Sequence, residues 1–249
     1  MSVNKDINFL DNAPVPKSTS VKYLGCTLTS NCRPQDEIAE RLRITTVIWK
    51  KLGMFWKGSN FSKRAKLTAY NAMINAKLTY GMESLQINQA QASRLNAFQL
   101  RGLRQILKMQ TTYINRANTN KAVYNKANEA LATKEEGAGT HKKRKNKDGI
   151  KVKTIKPIAE VIQKRAELYL SHIIRESPDE LTRQATFKKD IRPNLPHKYR
   201  VGRPRLNWTK ETLSRLWVKF RSWNEKHEYD ENNKKHRKRL LYYINLRID

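Results

Sequence analysis

Three stretches between Pro34 and Lys108 place an apolar residue every three or four positions, and only short polar breaks separate them. That period puts the apolar side chains on one face of an α-helix, and short connections make successive helices antiparallel neighbours. The first stretch holds Ile38, Leu42, Thr45, Trp49, Leu52 and Trp56. It opens at Pro34, whose fixed φ suits a first helical position, and Asp36 and Glu37 complement the dipole of the first turn. Gly58-Ser59-Asn60 ends it. Ser62 is placed to cap a second helix with Leu67, Tyr70, Ile74, Leu78 and Gly81 on its seam. A third runs from about Gln89 to Lys108, with Leu95, Phe98, Leu103, Ile106 and Leu107 inward. A weaker fourth covers about 119–132, capped by Asn118 or Thr119. These patterns predict a mainly α chain with a three- to four-helix domain over residues 33–132.

Residues 1–32 read differently. Ile7-Asn8-Phe9-Leu10 is a short apolar strand, Asp11-Asn12-Ala13-Pro14 is turn chemistry, and Val21 to Thr29 is rich in strand formers. The expectation is a small hairpin of these two strands, a remnant that packs on the first helix. Residues 133–153 break every pattern: nothing apolar lies between Ala138 and Ile150, and the run Lys142, Lys143, Arg144, Lys145 is strongly basic. This predicts a flexible basic linker, with a nuclear-localisation reading of that run beside a plain solvated loop. Residues 154–249 follow as a small basic helical module. Pro157 opens one helix, Ser177-Pro178-Asp179 stops it, residues 187–206 are Pro-rich and extended, and Asn207 or Thr209 starts another with Leu213, Leu216, Trp217, Phe220 and Trp223 inward.

Charge narrows the function. The 249 residues carry 51 Lys and Arg against 22 Asp and Glu, a net charge of +29. The excess is spread, with net +13 over residues 1–132 and +16 over 133–249. A chain so charged repels itself, and binding a polyanion relieves the repulsion and releases counterions. Trp and Tyr residues among the bases favour nucleic acid, RNA or DNA, over a membrane surface. No apolar run reaches the ~20 residues needed to cross a bilayer, and no secretory signal opens the sequence. Cys26 and Cys32 are the only cysteines, too few for a four-ligand zinc site, and reduced thiols in an intracellular protein are expected. A nuclear location fits best, with an organelle as the alternative. No cofactor or metal is expected.

The order of blocks carries a resemblance. Lys22-Tyr23-Leu24-Gly25-Cys26-Thr27-Leu28 is followed by Ile48-Trp49-Lys50-Lys51-Leu52, Leu78-Thr79-Tyr80-Gly81-Met82-Glu83 and Phe98-Gln99-Leu100-Arg101-Gly102-Leu103-Arg104-Gln105-Ile106-Leu107. It resembles the region after the polymerase palm in non-LTR retrotransposon reverse transcriptases, where a Tyr-Leu-Gly primer-grip strand leads into a helical thumb. Arg165 to Arg175 resembles the helix after that thumb, and Gly202-Arg203-Pro204-Arg205-Leu206-Asn207-Trp208 a stretch that closes many such polymerases. The resemblance implies a thumb that holds a template–primer duplex by its backbone. It implies contacts from Tyr23, Leu24 and Gly25, and from Arg41, Arg43, Lys50, Lys51, Lys63, Arg64, Lys66, Arg101, Arg104 and Lys108. The basic run 142–145 and the arm of Arg200, Gly202, Arg203, Pro204 and Arg205 would add to them. That arm reads either as a minor-groove hook or as a generic phosphate-binding arm.

Catalysis is not expected. Nucleotide transfer needs acids converging on two metal ions, and the sequence has no Asp-Asp dipeptide, Tyr229-Asp230-Glu231 being the nearest approach. Pro178-Asp179 lacks the following acid-x-Lys of a nuclease and reads as a helix stop. His172 lacks a neighbouring acid or nucleophile and reads as a helix-face residue with a packing or hydrogen-bonding role. The expected function is binding of nucleic acid by a thumb-like fragment without its own active site. A structural RNA-binding subunit of a ribonucleoprotein particle such as a ribosome is the alternative.

Overall fold

The computed structural model describes residues 18–30, 34–58, 60–132, 154–187, 193 and 207–227. The described residues are mainly helical, with one two-stranded antiparallel hairpin at the N-terminal end. The expected strand at Ile7–Leu10 and the basic run at 142–145 lie outside the described residues, as does the arm 200–205.

The segment Val21–Thr29 is not one strand but two. Ser20–Tyr23 (β1) and Cys26–Thr29 (β2) pair with Val21 opposite Leu28 and Tyr23 opposite Cys26. Leu24 and Gly25 form the turn, with φ of 47° and 77°. Positive φ at both central positions is what a two-residue hairpin of the type I′ family requires. Glycine adopts it freely. Leucine is an unusual companion there, which is why the pair reads as strand in sequence.

Pro34–Lys51 (α1) and Gly53–Lys57 (α2) replace the single first helix expected, with the break at Leu52. Gly53 is a poor helix former. The bend has a second cause: residues seven apart rise ~10.5 Å along an unbroken helix, yet the rings of Trp49 and Trp56 stack with centroids 4.6 Å apart. The Trp56 indole N–H donates to the Trp49 carbonyl at 3.0 Å, satisfying an acceptor freed at the helix end. Tyr70 closes this aromatic knot edge-on, 5.5 Å from Trp49.

Lys63–Ala69 (α3), a π-helical stretch over Tyr70–Asn75 and Ala76–Thr79 (α4) follow one another directly. The Ser62 hydroxyl accepts the Ala65 N–H, the cap expected of it. Gln89–Leu107 (α5) begins with a reciprocal capping box between Asn88 and Gln91 and ends at Lys108 in the left-handed conformation. Asn120–Ala132 (α6) starts where Thr119 accepts the Ala122 N–H.

Ile158–Arg175 (α7) does not stand apart from the first helices. Its Ile158 and Ile162 complete a core with Ile38, Leu42, Leu78, Met82 and Leu95. Its second half, Leu170, Ile173 and Ile174, packs with Phe187, Leu213 and Leu216. The expected boundary at residue 153 therefore crosses a shared core. Leu181–Thr186 (α8) was not legible in the sequence, and Trp208–His227 (α9) begins with Asn207 accepting the Lys210 N–H. Leu213 and Leu216 face inward as expected, while Trp217 is only half-buried beneath the Arg221 guanidinium.

The core around the aromatic knot is tightest at Gly102. A Cβ there would lie 2.7 Å from the Tyr70 ring and hydroxyl, and Tyr70 is wholly buried. Alanine is the better helix former by ~1 kcal/mol, yet Gly102→Ala should lower stability by ~1–3 kcal/mol through overpacking. Urea denaturation measures it, and an unchanged or raised midpoint would mean that α5 does not press on Tyr70.

Candidate nucleic-acid interface

The cations nominated by the sequence divide sharply. Arg41 is not available to a ligand: it is 1% exposed. Its Nε donates to Glu37 Oε1 at 2.5 Å and its Nη2 to the Gly25 carbonyl at 2.7 Å. The other Glu37 oxygen accepts the Thr27 N–H at 2.6 Å, so the pair pins the hairpin to α1. Lys66 is buried as well, its ammonium donating to the Gly58 carbonyl, where it closes the turn between α2 and α3. Both were expected to contact phosphate; both instead donate to backbone carbonyls of this chain. Arg104 is half-buried and donates to the Asn118 carbonyl and to Asn120 Oδ1, bracing the loop after α5. Arg43 is exposed but engaged. Its hydrogen bonds hold the Glu40 carboxyl down to about 2, and Glu40 in turn raises the Arg43 guanidinium.

Lys50, Lys51, Lys63, Arg64, Arg101 and Lys108 do lie on the surface. Arg94 joins them, unrecognised in the sequence although it sits seven residues before Arg101 and fourteen before Lys108. Two helical turns cover about 7.2 residues, so Arg94 and Arg101 lie nearly in line on α5, and exposed Lys108 follows at its C-terminal end. Within α5 no acid offsets this charge, whereas Lys50 and Lys51 share α1 with Asp36, Glu37 and Glu40. From Arg41 to Lys126 the sequence holds sixteen Lys and Arg and a single acid, Glu83. The opposite face of α5 contributes Leu100, Leu103, Ile106 and Leu107 to the aromatic-knot core, which fixes Arg94 and Arg101 toward solvent.

The hairpin tip is also presented outward. Tyr23 and Leu24 are 62% and 75% exposed, and the Tyr80 hydroxyl donates to the Leu24 carbonyl at 3.0 Å. Position and exposure suit contact with a partner, while the hairpin tip and α5 belong to different elements, the hairpin resting on α1 and on Tyr80.

A cleft on another part of the surface is a separate feature. About 350 Å³ in volume, it lies between the π-helical stretch, α4 and the start of α7, with Asn71, Asn75, Thr79, Lys156 and Arg165 among its walls. Its two cations are engaged: Lys156 pairs with Glu160 at 2.5 Å, and Arg165 donates to the Thr79 carbonyl and hydroxyl. The Arg165 bonds tie α7 to α4, and with both cations engaged the cleft lacks the open charge of α5. His172 is exposed and faces Glu176 at 3.4 Å, one turn along α7. Trp208 is half-buried against Tyr169, and its indole N–H donates to the Glu83 carbonyl at 2.9 Å, a structural role. No helix among the described residues is long and apolar enough to cross a membrane.

Comparison with family models, curated proteins and solved structures returns no match.

Proposed function

We propose that the chain binds nucleic acid through backbone contacts, without reading sequence, and that it does so as a holder of duplex or structured RNA rather than as a polymerase. The thumb-like part of a retroelement reverse transcriptase is the role that this reading gives it. One observation carries the proposal: Arg94 and Arg101 on α5, with Lys108 at its C-terminal end, are exposed on a helix that holds no acid. Polyphosphate is the ligand chemistry that answers such a surface, because each phosphate neutralised releases condensed counterions. Lys50, Lys51 and Lys63, which border the same aromatic-knot core, extend the positive surface beyond α5.

The test is a salt titration of binding to duplex RNA and duplex DNA. Replacing Arg94, Arg101 and Lys108 together with Gln should lower the slope of log affinity against log salt by about 2 to 3, since each phosphate contact contributes about 0.9. At 50 mM salt the same variant should bind more weakly on all sequences about equally. An unchanged slope would remove α5 from the interface, and a wild-type protein that binds neither duplex at 50 mM salt would end the proposal.

A further inference from the structure

The loop between α5 and α6 exposes two adjacent apolar side chains, Tyr113 at 96% and Ile114 at 66%. Scattered apolar residues on a surface need no explanation. This pair differs because the loop that carries it is built to hold one shape. The N–H groups of Ile114 and Asn115 both donate to the Thr111 carbonyl, at 3.1 and 3.0 Å, making one tight turn. Asn115 Oδ1 accepts the Ala117 N–H at 3.0 Å, and Asn118 Nδ2 donates to the Gln110 carbonyl at 3.0 Å. Arg104 ties the far side to α5 through the Asn118 carbonyl and Asn120 Oδ1. A loop braced on both flanks has lost its conformational entropy before any ligand arrives, which lowers the cost of binding.

The surroundings state the ligand's chemistry. Lys108 precedes Tyr113 by five residues and Arg116 follows by three, both exposed. No acid occurs in the sequence between Glu83 and Glu129. An aromatic ring flanked by cations and free of acids fits a group that is flat and apolar on its faces and anionic on its backbone. An unpaired nucleotide is that group: the base stacks on the ring while its phosphates meet the cations. A β-branched neighbour beside the ring suits a wedge at the last base pair, as apolar side chains do where they part stacked bases.

We propose that Tyr113 and Ile114 form a stacking wedge for unpaired bases at the junction of duplex and single strand, with Lys108 and Arg116 on the flanking phosphates. The inference rests on the nucleic-acid reading above and adds to it a preference among nucleic-acid forms.

The experiment compares a blunt duplex with the same duplex carrying a single-stranded overhang of several nucleotides, by fluorescence anisotropy, with 2-aminopurine as the first unpaired base. Wild-type protein should favour the overhang and quench the 2-aminopurine on stacking. Tyr113→Ala should weaken overhang binding by about 5- to 150-fold, the range of one base–aromatic stack, and restore the fluorescence. It should leave blunt-duplex affinity and the salt slope unchanged, because no charge is removed. Tyr113→Trp should retain the preference. Tyr113 is almost wholly exposed, so its replacement should leave the fold intact, and a thermal melt verifies this. Equal binding of overhang and blunt duplex by the wild type, or an overhang affinity that Tyr113→Ala does not change, overturns the wedge while the α5 interface stands. An apolar protein partner would then be the occupant to seek. Absence of all binding by the wild type overturns both.

Discussion

Replacing Arg41 with Gln should cost ~3–5 kcal/mol of folding stability, the range for breaking a buried ion pair and leaving one partner uncompensated. Three bonds disappear together. Glu37 loses the guanidinium at 2.5 Å, and the carbonyl of Gly25 and the thiol of Cys26 lose their donor. The guanidinium also lies 4.9 Å over the Tyr80 ring, and Tyr80 in turn holds Leu24, so the whole hairpin loosens from α1. Urea denaturation should show the loss. The double variant Arg41→Met with Glu37→Leu should lose less than Arg41→Gln alone, because apolar replacements leave no buried charge behind. Nucleic-acid affinity separates this reading from the one expected of the sequence. While Arg41→Gln remains folded, its salt slope should equal that of the wild type, since a residue 1% exposed reaches no phosphate. A stability change below ~0.5 kcal/mol, or a slope lowered by about one, would return Arg41 to the surface.

Arg41 also shows what periodicity can and cannot reveal. The seams that made helices of residues 34–57, 63–79, 89–107 and 120–132 are sums over many positions, so they survive local surprises. Ser62 and Thr119 cap where their side chains predict. Solvent exposure of a single cation is another matter. Arg41 and Lys66 look like members of a basic surface because their spacing is helical and their neighbours are basic. Their fate is decided by carbonyls that the chain brings from elsewhere: Gly25 is sixteen residues from Arg41, and Gly58 eight from Lys66. The hairpin turn failed for a related reason. Leu24-Gly25 puts positive φ on a leucine, a residue that rarely adopts it, and only the pairing of Tyr23 with Cys26 reveals the turn. Arg94 was legible in principle, since its heptad spacing to Arg101 and Lys108 needs no structure at all. The sharing of α7 between two cores was not: its apolar face is continuous in sequence, and nothing in it marks where one set of partners gives way to the next.

The residues that fasten α7 are polar, and one of them should be among the most sensitive positions in the chain. Gln99 is wholly buried. Its Oε1 accepts the Tyr124 hydroxyl at 2.8 Å and the Ile158 N–H at 3.1 Å, and its Nε2 donates to the Lys156 carbonyl at 3.0 Å. Asn128 exchanges two bonds with the Ile155 backbone, and Asn96 accepts the Ala159 N–H. Three amide side chains on α5 and α6 thus satisfy the backbone groups that the start of α7 leaves open. Burial raises the Tyr124 phenol to about 12, with Arg104 opposing, which keeps it a donor to Gln99 well above neutral pH. Gln99→Leu preserves volume but leaves a hydroxyl, an N–H and a carbonyl without partners, each costing ~1–3 kcal/mol. The summed loss should be ~3–5 kcal/mol after relaxation. Proteolysis gives a second readout. The sequence between Ala138 and Ile150 has nothing apolar, so cutting should begin there. The two wild-type pieces should then elute together, because Ile158 and Ile162 remain in a core with Ile38 and Leu95. In the Gln99→Leu variant the pieces should separate at low micromolar concentration. Wild-type pieces that part as readily as those of the variant would mean that α7 is tied to α5 by the chain alone, and that the amide clasp does not hold it.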